Sequence, residues 1–259
     1  MKSTTVVAAC ILLSNALARD VPLNVRAFYN RIQTAQCTGP DLLKSGFYSQ
    51  DDGPPTFGYC KDNSTNAIYI HGFGSALANM DIDCDGAIPD PAPDKRCKDS
   101  DTKSETRWKD QVQQYSKRSN DPFEDLNPYN VPYVVFGNEG SKGNYSTFDP
   151  RKYGVHPLSV MAVVCGDQLI YGIWGDTNGD DDGSKAMVGE ASISLATACY
   201  PNATIDADNG HAADDVLYIA FPGSRNETVN ERAAWGAASV EAFERSISEM
   251  GDRLIGRLH

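Results

Sequence analysis

Apolar residues fall into two patterns along this chain. Val25, Phe28 and Ile32 recur at helical spacing and predict a short helix within residues 19–36. Short strands are predicted at 59–60 and 67–70. VPYVVFG at 131–137, SVMAVVC at 159–165, QLIYGIW at 168–174 and VLYIAF at 216–221 are apolar, mostly β-branched runs and read as strands. Gly166 and Asp167 make a turn between the second and third of these, which therefore form a hairpin. EASISLATAC at 190–199 predicts a short helix packed through Ile193 and the alanines at 196 and 198. Near the end, Val240, Phe243, Ile247, Met250 and Leu254 recur at steps of three and four. That spacing predicts an amphipathic helix docked on the domain, with a self-association seam as the alternative. The segment 79–101 is rich in Asp, Pro and Cys and predicts a disulfide-pinned loop. Residues 102–120 are polar apart from Trp108 and Tyr115 and predict an exposed helix or an excursion.

The first residues add a compartment. Lys2, an apolar run at 6–13 and a small-x-small site at Ala16 and Ala18 predict a secretory signal peptide over 1–18. Its apolar run is too short to span a bilayer. Residues 19–224 are expected to form the main domain and 225–259 a helical C-terminal extension. Of seven cysteines, Cys10 leaves with the signal, and an even set remains: Cys37, Cys60, Cys84, Cys97, Cys165 and Cys199. An even number in a secreted chain points to three disulfides, for which roughly 15 pairings exist in principle. Local bridges are favoured: Cys37 with Cys60, Cys84 with Cys97, Cys165 with Cys199. Glycosylation sequons stand at Asn63, Asn144, Asn202 and Asn226. The formal net charge of −12 argues against nucleic acid and anionic membranes and favours a cationic partner.

Candidate chemistry narrows by exclusion. No G-x-S-x-G motif occurs, and His156 and His211 show no metal-ligand spacing. Neither cofactor nor metal is expected, and a monomer is expected. Asp-rich clusters begin at Asp81, Asp176 and Asp206. An EF-hand needs a carboxylate at its twelfth position. Ala92 and Met187 occupy that place in the first two clusters, leaving a looser calcium site as the alternative. Asp176 follows an apolar strand, and Glu190 opens the segment after the next loop. Two carboxyl groups brought to one site in this way are what glycoside hydrolysis requires. Spacing alone favours a plainer reading, in which Asp176 caps a turn and Glu190 favours a helix N-terminus.

The motifs change that balance. YGIWGDTNG at 171–179 followed by GEASISLA at 189–196 resembles the signature of the fungal chitosanases of glycoside hydrolase family 75. The resemblance extends to FGYC at 57–60, MDIDCDG at 80–86, PYVVFGNE at 132–139, PLSVMAVVC at 157–165 and NGHAADDVLYIAFPGS at 209–224. It implies a secreted endo-chitosanase that cuts β-1,4 bonds of chitosan by inversion, with Asp176 and Glu190 as the catalytic pair. It also implies a mainly β fold with short helices (α+β). The core would be a six-stranded double-psi-like β-barrel, as in family 45 endoglucanases and expansins, with disulfide-pinned loops and a C-terminal helix. By that fold analogy Glu190 is the general acid and Asp176 the base. A helix N-terminus at Glu190 would work against this, because it favours the ionised carboxylate. Chitosan is cationic below pH about 6.5, so Asp81, Asp83 and Asp85 are candidate subsite residues. Asn178 of the GDTNG motif is another candidate, and Tyr171 and Trp174 are candidates for stacking on sugar faces. The acidic stretch DDDGSKAM and the tail after Ser224 depart from the family pattern. The rival readings are an expansin-like wall-binding protein without catalysis and a calcium-dependent binding domain.

Overall fold

The structure, a computed structural model, describes residues 19–50, 52–97, 104–118, 122–181 and 183–259. The signal-peptide expectation over 1–18 lies outside the described residues. In chain order the elements are β1 (Arg19–Asp20), α1 (Leu23–Thr34), β2 (Leu42–Phe47), β3 (Phe57–Lys61), β4 (Ile68–His71), β5 (Ala78–Asp83), α2 (Lys109–Ser116), β6 (Tyr133–Asn138), β7 (Val160–Cys165), β8 (Gln168–Asn178), β9 (Glu190–Ser192), α3 (Ile193–Cys199), β10 (His211–Ala220), α4 (Arg225–Thr228) and α5 (Val240–Ile255). The fold is mainly β with short helices.

The β-branched runs around Gly166 form the predicted hairpin, with β7 antiparallel to β8 from Val160↔Ile173 to Cys165↔Gln168. Gly166 makes its turn at φ +58°. From this hairpin the pairing closes on itself. β8 pairs β6, β6 pairs β9, β9 pairs β5, β5 pairs β10, and β10 pairs β7. The result is a ring of six hydrogen-bonded strands, two of whose pairs, β6 with β8 and β5 with β9, are parallel. β4, β3 and β2 continue outward from β10, and β1 adds to β8. All residues of β6 and β7 are buried, as expected of strands apolar along their whole length.

Two expectations are corrected. Residues 78–83 are a strand rather than part of a loop. Asn79, Asp81 and Asp83 are polar because one face of β5 lies beside the groove described below, and backbone pairing with β9 and β10 holds the strand. Residues 190–192 are likewise strand and not helix. The helix begins only at Ile193, after Ser192, whose hydroxyl caps it by accepting from the Leu195 amide.

The helices cover the ring. α1 buries Val25, Phe28 and Ile32 as their spacing predicts. α2 is packed rather than exposed: Val112 and Tyr115 are buried, and Tyr115 stacks on Trp235 at 4.9 Å between ring centroids. α5 docks on β7 and β8 and buries Phe243, Ile247 and Leu254. Each such side chain contributes about 1.5–3 kcal/mol relative to exposure, so the apolar stripe is satisfied within the chain. The approach is close at Gly251, where a Cβ would lie 2.5 Å from the Tyr171 ring. The three bridges are Cys37–Cys60, Cys84–Cys97 and Cys165–Cys199, the local pairing favoured above. Asn63, Asn144, Asn202 and Asn226 are all exposed. Among the described residues no helix is long and apolar enough to cross a membrane.

Candidate active site

Three adjacent strands bring the candidate pair to one place. β8 carries Asp176, β9 carries Glu190, and β6 runs between them. Val135 of β6 is paired with Asp176 on one side and with Glu190 on the other. Residues opposite each other on neighbouring strands share a face, so both carboxyl groups rise on the same side with Val135 as the floor between them. Two strand spacings place their Cα atoms about 9–10 Å apart. The register continues to β5, where Asp81 pairs with Glu190. Asp83, two residues further, lies on the same face as Asp81. Gly189 lets the chain enter β9 against β5: its φ is +91°, and a Cβ there would lie 2.3 Å from Asn79 Oδ1.

The two carboxyl groups sit in different surroundings. Asp176 is only 6% exposed. Its Oδ1 accepts from the Thr177 amide at 2.7 Å and from the Arg107 amide at 2.9 Å. Its backbone carbonyl accepts from Trp174 Nε1 at 2.9 Å. Burial, and then the charge of Asp83, push its pKa well above the usual carboxylate range, against the pull of the two amides. Glu190 is half-buried, and burial together with the charges of Asp83 and Asp81 pushes it up to about 8. A hydrogen bond with the Asn178 side chain acts in the opposite direction. Because Glu190 lies on a strand, the helix-terminus effect that would have favoured its ionised form does not arise.

Around the pair runs a groove. A cavity of about 430 Å³ holds Asp83, Asp85, Val135, Asp176, Asn178 and Glu190. Through Glu190 and Ile82 it joins one of about 530 Å³ that contains Gln50, Asp81 and Asp208. Through Asp85, Asp176 and Thr177 it joins another of about 540 Å³ lined by Arg107, Glu139, Asp180 and Asp181. The pair thus stands near the middle of an open, acidic trough, which suits an internal stretch of a cationic polymer. Asp81, Asp83, Asp85 and Asn178 all border it.

Two expected site residues do not border it. Tyr171 is 0% exposed and lies beneath α5, its hydroxyl donating to Asp252 at 2.8 Å. Trp174 is 1% exposed and meets Trp108 edge to face at 5.0 Å. Sugar stacking needs an open ring face, so the stacking role is withdrawn from both. Trp174 instead braces the backbone of Asp176 from below. Residue patterns gave no notice of Arg107, which donates an amide to Asp176 and whose guanidinium pairs with Glu139 at 2.8 Å. Its position follows from packing of Trp108, a long-range contact that spacing does not encode.

Asp83, Asp85 and Asp176 present oxygens within 4.8 Å of one another, the one such carboxylate grouping among the described residues. Amides already occupy Oδ1 of Asp176 and of Asp83, and burial favours the protonated form of both.

Comparison with known proteins agrees with the motifs. The family model described as fungal chitosanase of glycosyl hydrolase group 75 matches residues 80–257, a span that runs through α5 and so includes most of the tail. An endo-chitosanase of Aspergillus oryzae is 43% identical over 256 residues, covering 97% of both chains. Endo-chitosanase B of the same organism is 39% identical over 254 residues, covering 96% of both. An endo-chitosanase of Aspergillus fumigatus is 39% identical over 248 residues, covering 95% of both. With a family match over more than half its length and relatives aligned almost end to end, the chain belongs to the fungal chitosanases of glycosyl hydrolase group 75.

Proposed function

We propose that this glycoside hydrolase is a secreted endo-chitosanase in which Glu190 protonates the leaving oxygen and Asp176 activates the attacking water. The observation that carries the reading is the placement of the two carboxyl groups on either side of Val135, in the middle of an open acidic groove. A Cα separation of two strand spacings is compatible with carboxyl groups roughly 6.5–9.5 Å apart, which leaves room for a water and corresponds to inversion. In the single displacement, the Glu190 proton passes to the glycosidic oxygen as the C1–O bond breaks. Water attacks C1 from the opposite face and gives its proton to Asp176. A Glu190 pKa near 8 keeps this acid protonated wherever chitosan is cationic. Asp176 is a harder case, because its surroundings favour the neutral form. An ammonium group of the substrate entering the groove opposes that effect and favours the carboxylate.

The finer fold assignment belongs to the same reading. A ring of six hydrogen-bonded strands that includes two parallel pairs supports a double-psi-like β-barrel, with residues 19–224 as the catalytic unit and 225–259 as a helical brace. Secretion of a chain beginning near Arg19 is supported by the signal pattern, the three disulfides and four exposed sequon asparagines. The test is product analysis on partly acetylated chitosan. New reducing ends distinguish an enzyme from a wall-binding protein, and the product sizes report endo action. Asp176→Asn and Glu190→Gln should each lower the rate by on the order of 10²–10⁴-fold while the protein stays folded. Activity near that of the parent in either folded variant would remove that residue from the mechanism.

A further inference from the structure

The MDIDCDG segment places a third acid beside the pair, one that the hydrolytic reading leaves without a task. Asp83 ends β5, on the strand next to Glu190, and is 7% exposed. Its carboxyl lies within 4.8 Å of that of Asp176. Its Oδ1 accepts from the Asp85 amide at 2.6 Å, and the Tyr133 hydroxyl, which donates to the Asp85 carbonyl at 2.8 Å, lies beside it. Resting on the assignment of Asp176 and Glu190 as base and acid, we propose that Asp83 is a positioning residue of the reaction, a buried carboxyl whose charge sets the pH range over which Asp176 is ionised while Glu190 is protonated.

The geometry gives Asp83 this role. Asp81, Asp83, Glu190, Val135 and Asp176 share one face of four adjacent strands, and Asp83 stands where it acts on both catalytic groups. Its charge is the largest electrostatic influence raising each of them, second only to burial. Burial pushes Asp83 itself up to about 6. Two such buried acids so close together lose their protons in two steps that belong to the pair. A single proton left on the pair can sit on either carboxyl, and when Asp83 holds it Asp176 is the carboxylate. The other groups facing Asp83 are Asp81 and Asp85 on its own segment, Tyr133 of β6, Asp176 of β8, Glu190 of β9, and Asp125 from the stretch before β6. Asp125 is held by the Thr106 amide and hydroxyl, with Lys109 partly offsetting its charge.

A purely structural Asp83 would serve only to accept the Asp85 amide. Asparagine keeps that acceptor and removes the charge, so Asp83→Asn separates the two roles. The measurement is kcat/KM against pH on a fully deacetylated oligomer. Both limbs of the bell should move to lower pH, by on the order of one unit, with kcat affected more than KM. A profile that superimposes on the parent after scaling would overturn the proposal. Carboxyl carbon NMR titration of the parent and of Asp176→Asn gives a second readout that does not need the Asp83 variant to fold. The Asp83 midpoint should fall when Asp176 is neutralised, and an unmoved midpoint would also overturn the proposal. This titration stands apart from the catalytic assignment, whose failure would show instead as retained activity in Asp176→Asn or Glu190→Gln.

Discussion

Glu244 illustrates what a single buried acid does to this protein. It is 2% exposed on the buried face of α5, where its Oε1 accepts from the Tyr171 amide at 3.3 Å and faces Arg19 Nε at 3.7 Å. Burial pushes its pKa up to about 7, despite the opposing pull of the Tyr171 amide and Arg19. A raised acid holds its proton in the folded state over a pH range where the unfolded chain has already lost it. Stability from this group is therefore full below the unfolded value near 4.5 and declines as pH rises towards 7. The window corresponds to about 3 kcal/mol, or roughly 6–12 °C in Tm for a chain of this size. Glu244→Gln keeps the acceptor and removes the titration. Its Tm should fall less than the parent's between pH 4.5 and 7, and parallel curves would contradict the account. Residue identities announced part of the site. The motifs single out Asp176 and Glu190, which the structure brings to one groove, and Asp81, Asp83, Asp85 and Asn178 border it as well. The inward burial of Tyr171 and Trp174 was not legible. Alternation tells that neighbours on a strand face opposite ways, but in a ring covered by helices both faces of β8 are buried.

Among the elements, the legible ones carry a helical apolar spacing, as in α1 and α5, or a continuous apolar run, as in β6 and the β7–β8 hairpin. The misread elements are the ones that build the site. β5 carries Asp81 and Asp83 where a strand detector expects apolar residues, because one of its faces meets substrate space rather than core. β9 has three residues and was absorbed into the helix that follows, since Ala-Ser-Ile-Ser-Leu-Ala carries helical propensity beyond Glu190. The consequence is chemical. A glutamate at a helix terminus would be biased towards its ionised form, whereas on β9, beside Asp81 and Asp83, the same glutamate is biased towards the acid. β2, from Leu42 to Phe47, also escaped notice, because its apolar and polar positions do not alternate cleanly.

For the whole molecule, charge and topology point the same way. The net charge is −12, and Asp81, Asp85, Glu139, Asp180, Asp181 and Asp208 lie along one trough. Hydrolysis of short deacetylated oligomers should therefore slow as salt rises towards about 0.5 M, where the Debye length is only a few ångström. A rate unchanged across that range would argue against charged subsites. The ring of strands fixes the one distance on which the mechanism depends, by setting Asp176 and Glu190 on the two neighbours of β6. Proton NMR of the first-formed reducing ends tests that claim most directly. Single displacement across Val135 predicts that the α-anomer appears first and then mutarotates, and initial release of the β-anomer would contradict it.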